Sequence, residues 1–254
     1  MTEQDYRSKE NEMKYMSYSQ FTDFLDCEAK ALAKLKGEYV EPSTTAQLVG
    51  RYVESYFDGT LEDFKKEHPE IYKKTGDKGL LKDFQIAEKV IEKIESDEVF
   101  KSYMKGETQL IKTGAICGIP IKTKTDYVTD NFISDLKIVK DFKMIWINGQ
   151  KLPFIEAWHY DIQAVFYEEV QDKIKPYYIL AVTKEEVPDI CIFEIPYTRI
   201  AQVRSIVENY IERFQDIKEG KIKPERCEKC NYCKMTKKLT GPIDYKKVIW
   251  SKYD

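Results

Sequence analysis

No apolar run in this 254-residue chain approaches the roughly 18 residues that a membrane-crossing helix needs. The opening stretch MTEQDYRSKENEMKYM is too charged for a secretory leader. These two absences make the cytoplasm the expected location. Internal repeats and low-complexity linkers are missing too, and 42% hydrophobic with 33% charged residues describe a folded globular chain. Nor is there an excess of positive charge. The net is −3, so the whole chain does not advertise nucleic-acid binding, and only a local patch could serve it. The 18 tyrosines are weak evidence of base stacking. Without a leader, six cysteines do not read as a disulfide framework.

What is present falls into a simple order. SYSQFTDFLDCEAKALAKL predicts a helix with Phe21, Phe24, Leu25, Leu32 and Leu35 on one side, and STTAQLVGRYVESYF predicts another. Residues 58–79 are a charged connection, and LLKDFQIAEKVIEKI is an amphipathic helix. Beyond Gly106 the pattern turns β-rich, with one helix expected over about 155–171 and a last one over TRIAQVRSIVENYIERFQDI. The fold class is therefore α/β or α+β. Cys117 and Cys191 lie in strand-like apolar stretches and are expected in the core.

The stretch TDYVTDNFISDLKIVKD, residues 125–141, places acids and lysines inside two short strands. A turn at Asp130 and Asn131, both tolerant of a left-handed backbone, pairs 128 with 133, 127 with 134 and 126 with 135. Asp126 and Asp135 then face each other, with Lys137 on the same face opposite Lys124. Like charges directly across a ladder repel, and a divalent cation would relieve them. Surface ion pairs among the same side chains are the plainer reading. A third carboxylate has two candidates. One is Glu54, on a helix where Gly50 would let another element approach closely; the other is Glu107, opening the first strand. Further on, Tyr160, Gln163 and Tyr167 share a helical stripe beside an apolar side of Trp158, Ile162, Val165 and Phe166. Such a stripe suits groove lining or ordinary packing.

Together GRYVE (Gly50–Glu54), KTKTD ending in Asp126, DLK (Asp135, Leu136, Lys137) and YDIQAVFY (Tyr160, Gln163, Tyr167) resemble the PD-(D/E)xK nuclease superfamily. Within it the likeness is to RecB-like and phage RecE-like exonucleases, from Ser17 to about Leu239. Two positions depart from the pattern: Glu54 stands where many RecB-like nucleases have His, and Thr125 precedes Asp126 in place of Pro. The resemblance implies a restriction-endonuclease-like core, a central mixed sheet flanked by helices. It implies one nuclease domain over 1–254: a helical part (about 17–105), a catalytic core (about 106–217) and a Cys/Lys-rich tail (about 218–254). The implied activity is a Mg²⁺- or Mn²⁺-dependent DNA exonuclease of phage-type recombination or end processing. Glu54, Asp126, Asp135 and the Leu136 carbonyl would hold the metal, and Lys137 would orient or deprotonate the attacking water. Gln163 and Tyr167 would support the site, and Tyr160, Gln163, Tyr167 and Lys124 would contact DNA. A single-strand annealing protein and further copies of the chain are the other implied partners. The alternatives are a structure-specific or CRISPR-associated endonuclease of the same fold, and a non-catalytic DNA-binding module.

In CEKCNYCKMTKKL, Cys227, Cys230 and Cys233 fall at C-x2-C-x2-C, a spacing that favours metal ligation over packing. The resemblance supports Cys27 as the fourth thiolate, because some relatives join one N-terminal and three C-terminal cysteines around a 4Fe-4S cluster. The short last spacing leaves Zn²⁺ open. Around these cysteines, residues 218–238 carry eight Lys or Arg against three Glu, either a solvated tail or a phosphate-contacting edge.

Overall fold

The structure, a computed structural model, describes every residue except 77, 148, 240, 243 and 248–254, so the end of the Cys/Lys-rich tail lies outside the described residues. The chain opens with α1 (Glu3–Tyr6), α2 (Lys9–Lys14), α3 (Tyr18–Asp26), α4 (Glu28–Lys36), α5 (Thr45–Phe57), α6 (Leu61–Glu67), α7 (Lys82–Glu95) and α8 (Glu98–Ser102). Strands β1 (Glu107–Ile116), β2 (Ile119–Val128) and β3 (Ile133–Val139) follow, then the short β4 (Ile145–Ile147) and β5 (Gln150–Leu152). After α9 (Phe154–Ala157) and α10 (Tyr160–Glu169) come β6 (Tyr177–Thr183), β7 (Ile190–Ile195), α11 (Tyr197–Lys218) and α12 (Asn231–Met235). Five strands form one mixed sheet in the order β1-β2-β3-β6-β7, and β4 pairs with β5 alone. Strand β3 runs parallel to β6, while β2–β3 and β6–β7 are antiparallel. Among the described residues no helix is long and apolar enough to cross a membrane.

Four expectations need correction. The first predicted helix is two, because Cys27 is extended (φ −164°, ψ 107°) and separates α3 from α4. The helix expected over 155–171 is also two, because His159 adopts a left-handed backbone (φ 60°) between α9 and α10. That break takes Trp158 off the apolar side of α10 and leaves it 53% exposed. Cys117 is exposed, not core: with Gly118 it forms the β1–β2 turn, both at positive φ (49° and 79°). Gly50 sits against open space, since a Cβ there would meet nothing within 4 Å, so it marks no close approach.

The chain divides into two compact units, one of Met1–Glu41, Ile111–Thr123 and Val203–Asp254, the other of Pro42–Leu110 and Lys124–Gln202. The second has a core of helix faces on strands. Val49, Tyr52 and Val53 form the buried stripe of α5, meeting Phe84, Val90, Ile91 and Ile94 of α7, and Leu136, Leu180 and Val182 of the sheet. Each such apolar side chain, fully buried, is worth about 1.5–3 kcal/mol. The start of α5 is fixed by a capping box in which Thr44 and Gln47 satisfy each other's backbone N–H groups. With the stripe turned inward, Glu54, next along the helix, is turned out to solvent. Strand β6 is fully buried from Ile179 to Val182, as expected of a strand with a parallel neighbour and both faces covered.

In the first unit Phe21 and Phe24 of α3 lie 5.3 and 5.2 Å from Phe214 of α11, ring centroid to centroid. Two lysines are buried there. Lys122 donates to the Tyr6 carbonyl at 2.5 Å and pairs with Glu12 at 2.6 Å; Lys218 donates to the Tyr15 carbonyl at 2.7 Å and Gln20 Oε1 at 2.9 Å. Burial pushes the Lys218 ammonium down to about 7, and Glu12 offsets this only in part. Between about pH 7 and the ordinary lysine value near 10.5, the unfolded chain keeps a proton that the folded chain has released. Stability from this residue should therefore rise with pH over that window, by up to about 1.4 kcal/mol per unit. Lys218→Met is expected to remove that slope, read from urea unfolding of both proteins at neutral and alkaline pH. Lys218 is thus not part of a basic outer edge. Lys221 pairs with Asp216 and Glu219, and Arg226 with Glu228, which thins that edge further.

Candidate active site and cysteine cluster

Within the second unit, β2 and β3 pair Tyr127 with Ser134 and Val128 with Ile133, the register read from the Asp130–Asn131 turn. The ladder has only these two pairs. One step on, Asp126 turns its carboxylate inward, and Oδ2 accepts the Leu136 backbone N–H at 3.0 Å. The Leu136 side chain points the other way, 3% exposed in the core, so Asp135 and Lys137 share the opposite face. The Lys137 ammonium forms an ion pair with Asp135 Oδ2 and lies 5.1 Å above the centre of the Tyr160 ring. Asp135 is 1% exposed. Its Oδ1 accepts Gln163 Nε2 at 3.1 Å and the Tyr167 hydroxyl at 2.9 Å. Gln163 also donates to the Tyr167 oxygen at 2.6 Å, and that hydroxyl lies 3.1 Å from the Lys124 carbonyl. The Tyr160, Gln163 and Tyr167 stripe therefore meets the acids and the lysine. Lys124 contributes its carbonyl.

The charges of this site are unbalanced. Burial and the Asp135 charge push the Asp126 carboxyl well above the ordinary carboxylate range, and Lys137 offsets this only in part. Glu54 is also raised, first by the protein around it and then by Asp135, although its side chain is exposed. Burial alone would lower Lys137, but Asp135 and Asp126 more than reverse it and hold the ammonium above its ordinary range. Lys137 and Asp135 act on the charge of Glu54, whose helix α5 packs against β3, whereas Glu107 is exposed at the start of β1. Three carboxylates beside one ammonium are a hard oxygen donor set that suits a divalent cation. Gln163 Oε1, buried without a hydrogen-bond partner, adds a further oxygen. The three acids do not converge as a preformed cage: among the described residues, only the cysteines bring three or more ligand atoms within 4.8 Å of one another.

The sequence reading missed the brace behind this site. Asp161 is 1% exposed on α10 and accepts Arg199 Nε at 2.8 Å, while the same guanidinium reaches Glu156 at 3.0 Å. This pairing fixes the start of α10 and with it the direction of Gln163. Its only signal in the chain was an acid in a helix whose other residues face inward.

In the first unit Cys27 joins Cys227, Cys230 and Cys233, their four sulfurs within 4.8 Å of one another and none in a disulfide. Cys27 and Cys233 sulfurs are 3.6 Å apart, and both residues are almost fully buried. The Cys230 N–H donates to the Cys227 sulfur at 3.3 Å, and Cys227 is held down at about 7, the backbone N–H groups overcoming burial. Beside the sulfurs, Glu28 takes a two-pronged contact from Arg213 at 2.7 and 3.0 Å and accepts the Glu225 N–H at 2.6 Å. The break at Cys27 thus turns a thiol out of the helix toward its three partners.

A helix-flanked mixed sheet with DLK on a central strand is the architecture of the PD-(D/E)xK nuclease superfamily, and comparisons with known proteins agree. A family model described as "PDDEXK-like domain of unknown function (DUF3799)" matches residues 17–236, and the chain belongs to that family. The crystal structure of a "Putative exonuclease" from Eubacterium rectale is similar at 35% identity and a TM-score of 0.90, over 96% of each chain. A structure of SSO0001 aligns at 15% identity and a TM-score of 0.30, over 84% of this chain and 93% of that one, too distant to support an argument. A search of curated proteins returned no match. The family and the first neighbour support a nuclease.

Proposed function

We propose that this chain is a divalent-metal-dependent DNA exonuclease, a single nuclease domain of the RecB-like or RecE-like kind, acting in recombination or end processing. The observation that carries the reading is Asp135, buried and held at once by Lys137, Gln163 and Tyr167, with Asp126 beside it. Phosphodiester hydrolysis brings water to a phosphorus screened by negative charge and must stabilise a more charged transition state. Mg²⁺ or Mn²⁺ held by Asp126, Asp135 and Glu54, with the Leu136 carbonyl, would lower the pKa of bound water and neutralise phosphoryl oxygens. Lys137, paired with Asp135, would orient or deprotonate the attacking water and offset developing charge. Gln163 and Tyr167 fix the Asp135 rotamer through Oδ1, leaving Oδ2 to face Lys137 or a cation. The Tyr160 ring lies under the lysine, and Lys124 and Tyr160 would meet the DNA backbone. On this reading, end-labelled linear duplex is degraded with Mg²⁺ and spared with EDTA, while a covalently closed circle survives both. Cleavage of the circle would make the protein an endonuclease, and no cleavage of either would favour a DNA-binding module.

For the cysteines we propose a single tetrahedral ion, Zn²⁺, in place of the 4Fe-4S cluster that the resemblance implies. Zn–S bonds of about 2.3 Å set tetrahedral sulfurs about 3.8 Å apart. The sulfurs here, 3.6 Å at Cys27–Cys233, 4.0 Å at Cys227–Cys233 and none beyond 4.8 Å, suit that edge. A four-iron cube with one thiolate per corner needs wider spacing.

A further inference from the structure

Between β3, bearing Asp135 and Lys137, and α10, bearing Gln163 and Tyr167, the chain inserts the β4–β5 hairpin. It pairs Ile145 with Leu152, Trp146 with Lys151 and Ile147 with Gln150. Side chains alternate across such a pair, so Ile145, Ile147 and Leu152 share one face and are half-buried, with α9 packed on both strands. The other face carries Trp146, 65% exposed, with Lys151 Nζ 5.2 Å from its ring centre. An indole left this open forgoes a large burial gain and offers an aromatic face to another molecule. Lys140 and Lys143 are exposed on the same insertion, where Asp141 is the sole acid among residues 140–152. The base of the hairpin is tied to the candidate site ring by ring. Phe142 stacks on Phe154 at 5.8 Å, Phe154 meets Tyr160 at 6.3 Å, and Tyr160 lies under the Lys137 ammonium.

We propose that Trp146, with Lys151 beside it, is a stacking platform for an unpaired base of the DNA strand being processed, with Lys140 and Lys143 meeting its phosphates. This rests on the nuclease reading of the neighbouring site. Stacking on an indole is tolerant of base identity, as an end-degrading enzyme requires, and the lysines complement a polyanion. A duplex interior offers no free base face to the ring. A second copy docking on this face about a two-fold axis would bring like-charged lysines together, which disfavours that occupant.

The test is binding of a labelled short oligodeoxythymidine, and of a blunt duplex, to the full chain without added divalent metal. Trp146→Ala should weaken the single strand about tenfold, while Trp146→Phe, which keeps a ring, stays within about threefold of wild type. Lys151→Ala should weaken both DNAs and lessen the salt dependence. The blunt duplex should be nearly indifferent to Trp146→Ala. Because Trp146 is exposed, these variants should fold, as circular dichroism would verify. Equal affinity of wild type and Trp146→Ala for the single strand overturns the platform, as does failure of the wild type to bind it. Loss of self-association by Trp146→Ala with DNA affinity intact also overturns it and makes the face a contact between copies. Trp146-dependent binding by a protein that cleaves nothing with Mg²⁺ sustains the platform and refutes the nuclease reading alone.

Discussion

Lys137→Met is expected to cut the turnover of linear duplex DNA by about a thousandfold or more, the scale of losing a charge aimed at the reacting phosphate. Its second effect is on stability. Asp135, 1% exposed, would lose the cation on Oδ2 and keep only the Gln163 and Tyr167 hydrogen bonds on Oδ1. Breaking a buried ion pair costs about 3–5 kcal/mol, and the 19% exposure of Lys137 brings the expectation to about 1–3 kcal/mol. Added Mg²⁺ should restore part of that loss, because a metal on the same acids replaces the missing charge. Single-turnover cleavage and melting curves with and without Mg²⁺ read the two effects separately. Turnover within tenfold of wild type would remove Lys137 from the chemistry; an unchanged melting curve would mean that the ion pair contributes nothing to the fold.

Cys233→Ser is expected to release the cysteine-bound ion and destabilise the unit that holds it by at least about 3 kcal/mol, since binding energy at a structural thiolate site is folding energy. Cys233 is 0% exposed, so the variant also buries a serine hydroxyl where a thiolate stood. Elemental analysis should find one zinc per wild-type chain and none in the variant, with no absorbance near 400 nm from anaerobically purified protein, where iron-sulfur clusters absorb. A broad band there, with iron in place of zinc, would reverse the assignment. Cys117→Ser supplies the control. That thiol is exposed in the β1–β2 turn, and its loss should change neither metal content nor melting temperature.

How much was legible depended on what the signal rested on. The first pairs of the hairpin could be read because the turn dipeptide sets them, although the ladder ends before the expected Asp126–Asp135 pair; period-two alternation put Asp135 and Lys137 on one face. The long amphipathic helices could be read because their stripes recur over several turns, as in α7 with Phe84, Ala87, Ile91 and Ile94. The breaks at Cys27 and His159 could not, since each is a single residue leaving helical angles inside an unbroken apolar pattern. Cys117 was hidden by its apolar neighbours, although the Gly after it marked a turn. For Glu54 the GRYVE motif was the usable signal, whereas the close approach expected at Gly50 does not occur, since that glycine has open space beside it. Strands β4 and β5, three residues each, are too short for periodicity to show. The Arg199–Asp161 pair joins positions far apart in the chain, beyond the reach of local spacing.

The parallel pairing of β3 with β6, which sets Asp135 against Ile179 and Lys137 against Ala181, has a consequence for how such proteins diversify. Parallel neighbours cannot be joined by a tight turn, so chain must be spent between Val139 and Tyr177 whatever the protein does. Part of that obligatory excursion is α10, which the acids need. The remainder, residues 140–153, is anchored at its base by the stacking of Phe142 on Phe154, and lengthening a connection of this kind costs little. Selection can rewrite its tip for a new substrate without moving Asp135 or Gln163. The connection is therefore the place to look for divergence between relatives that share the DLK strand.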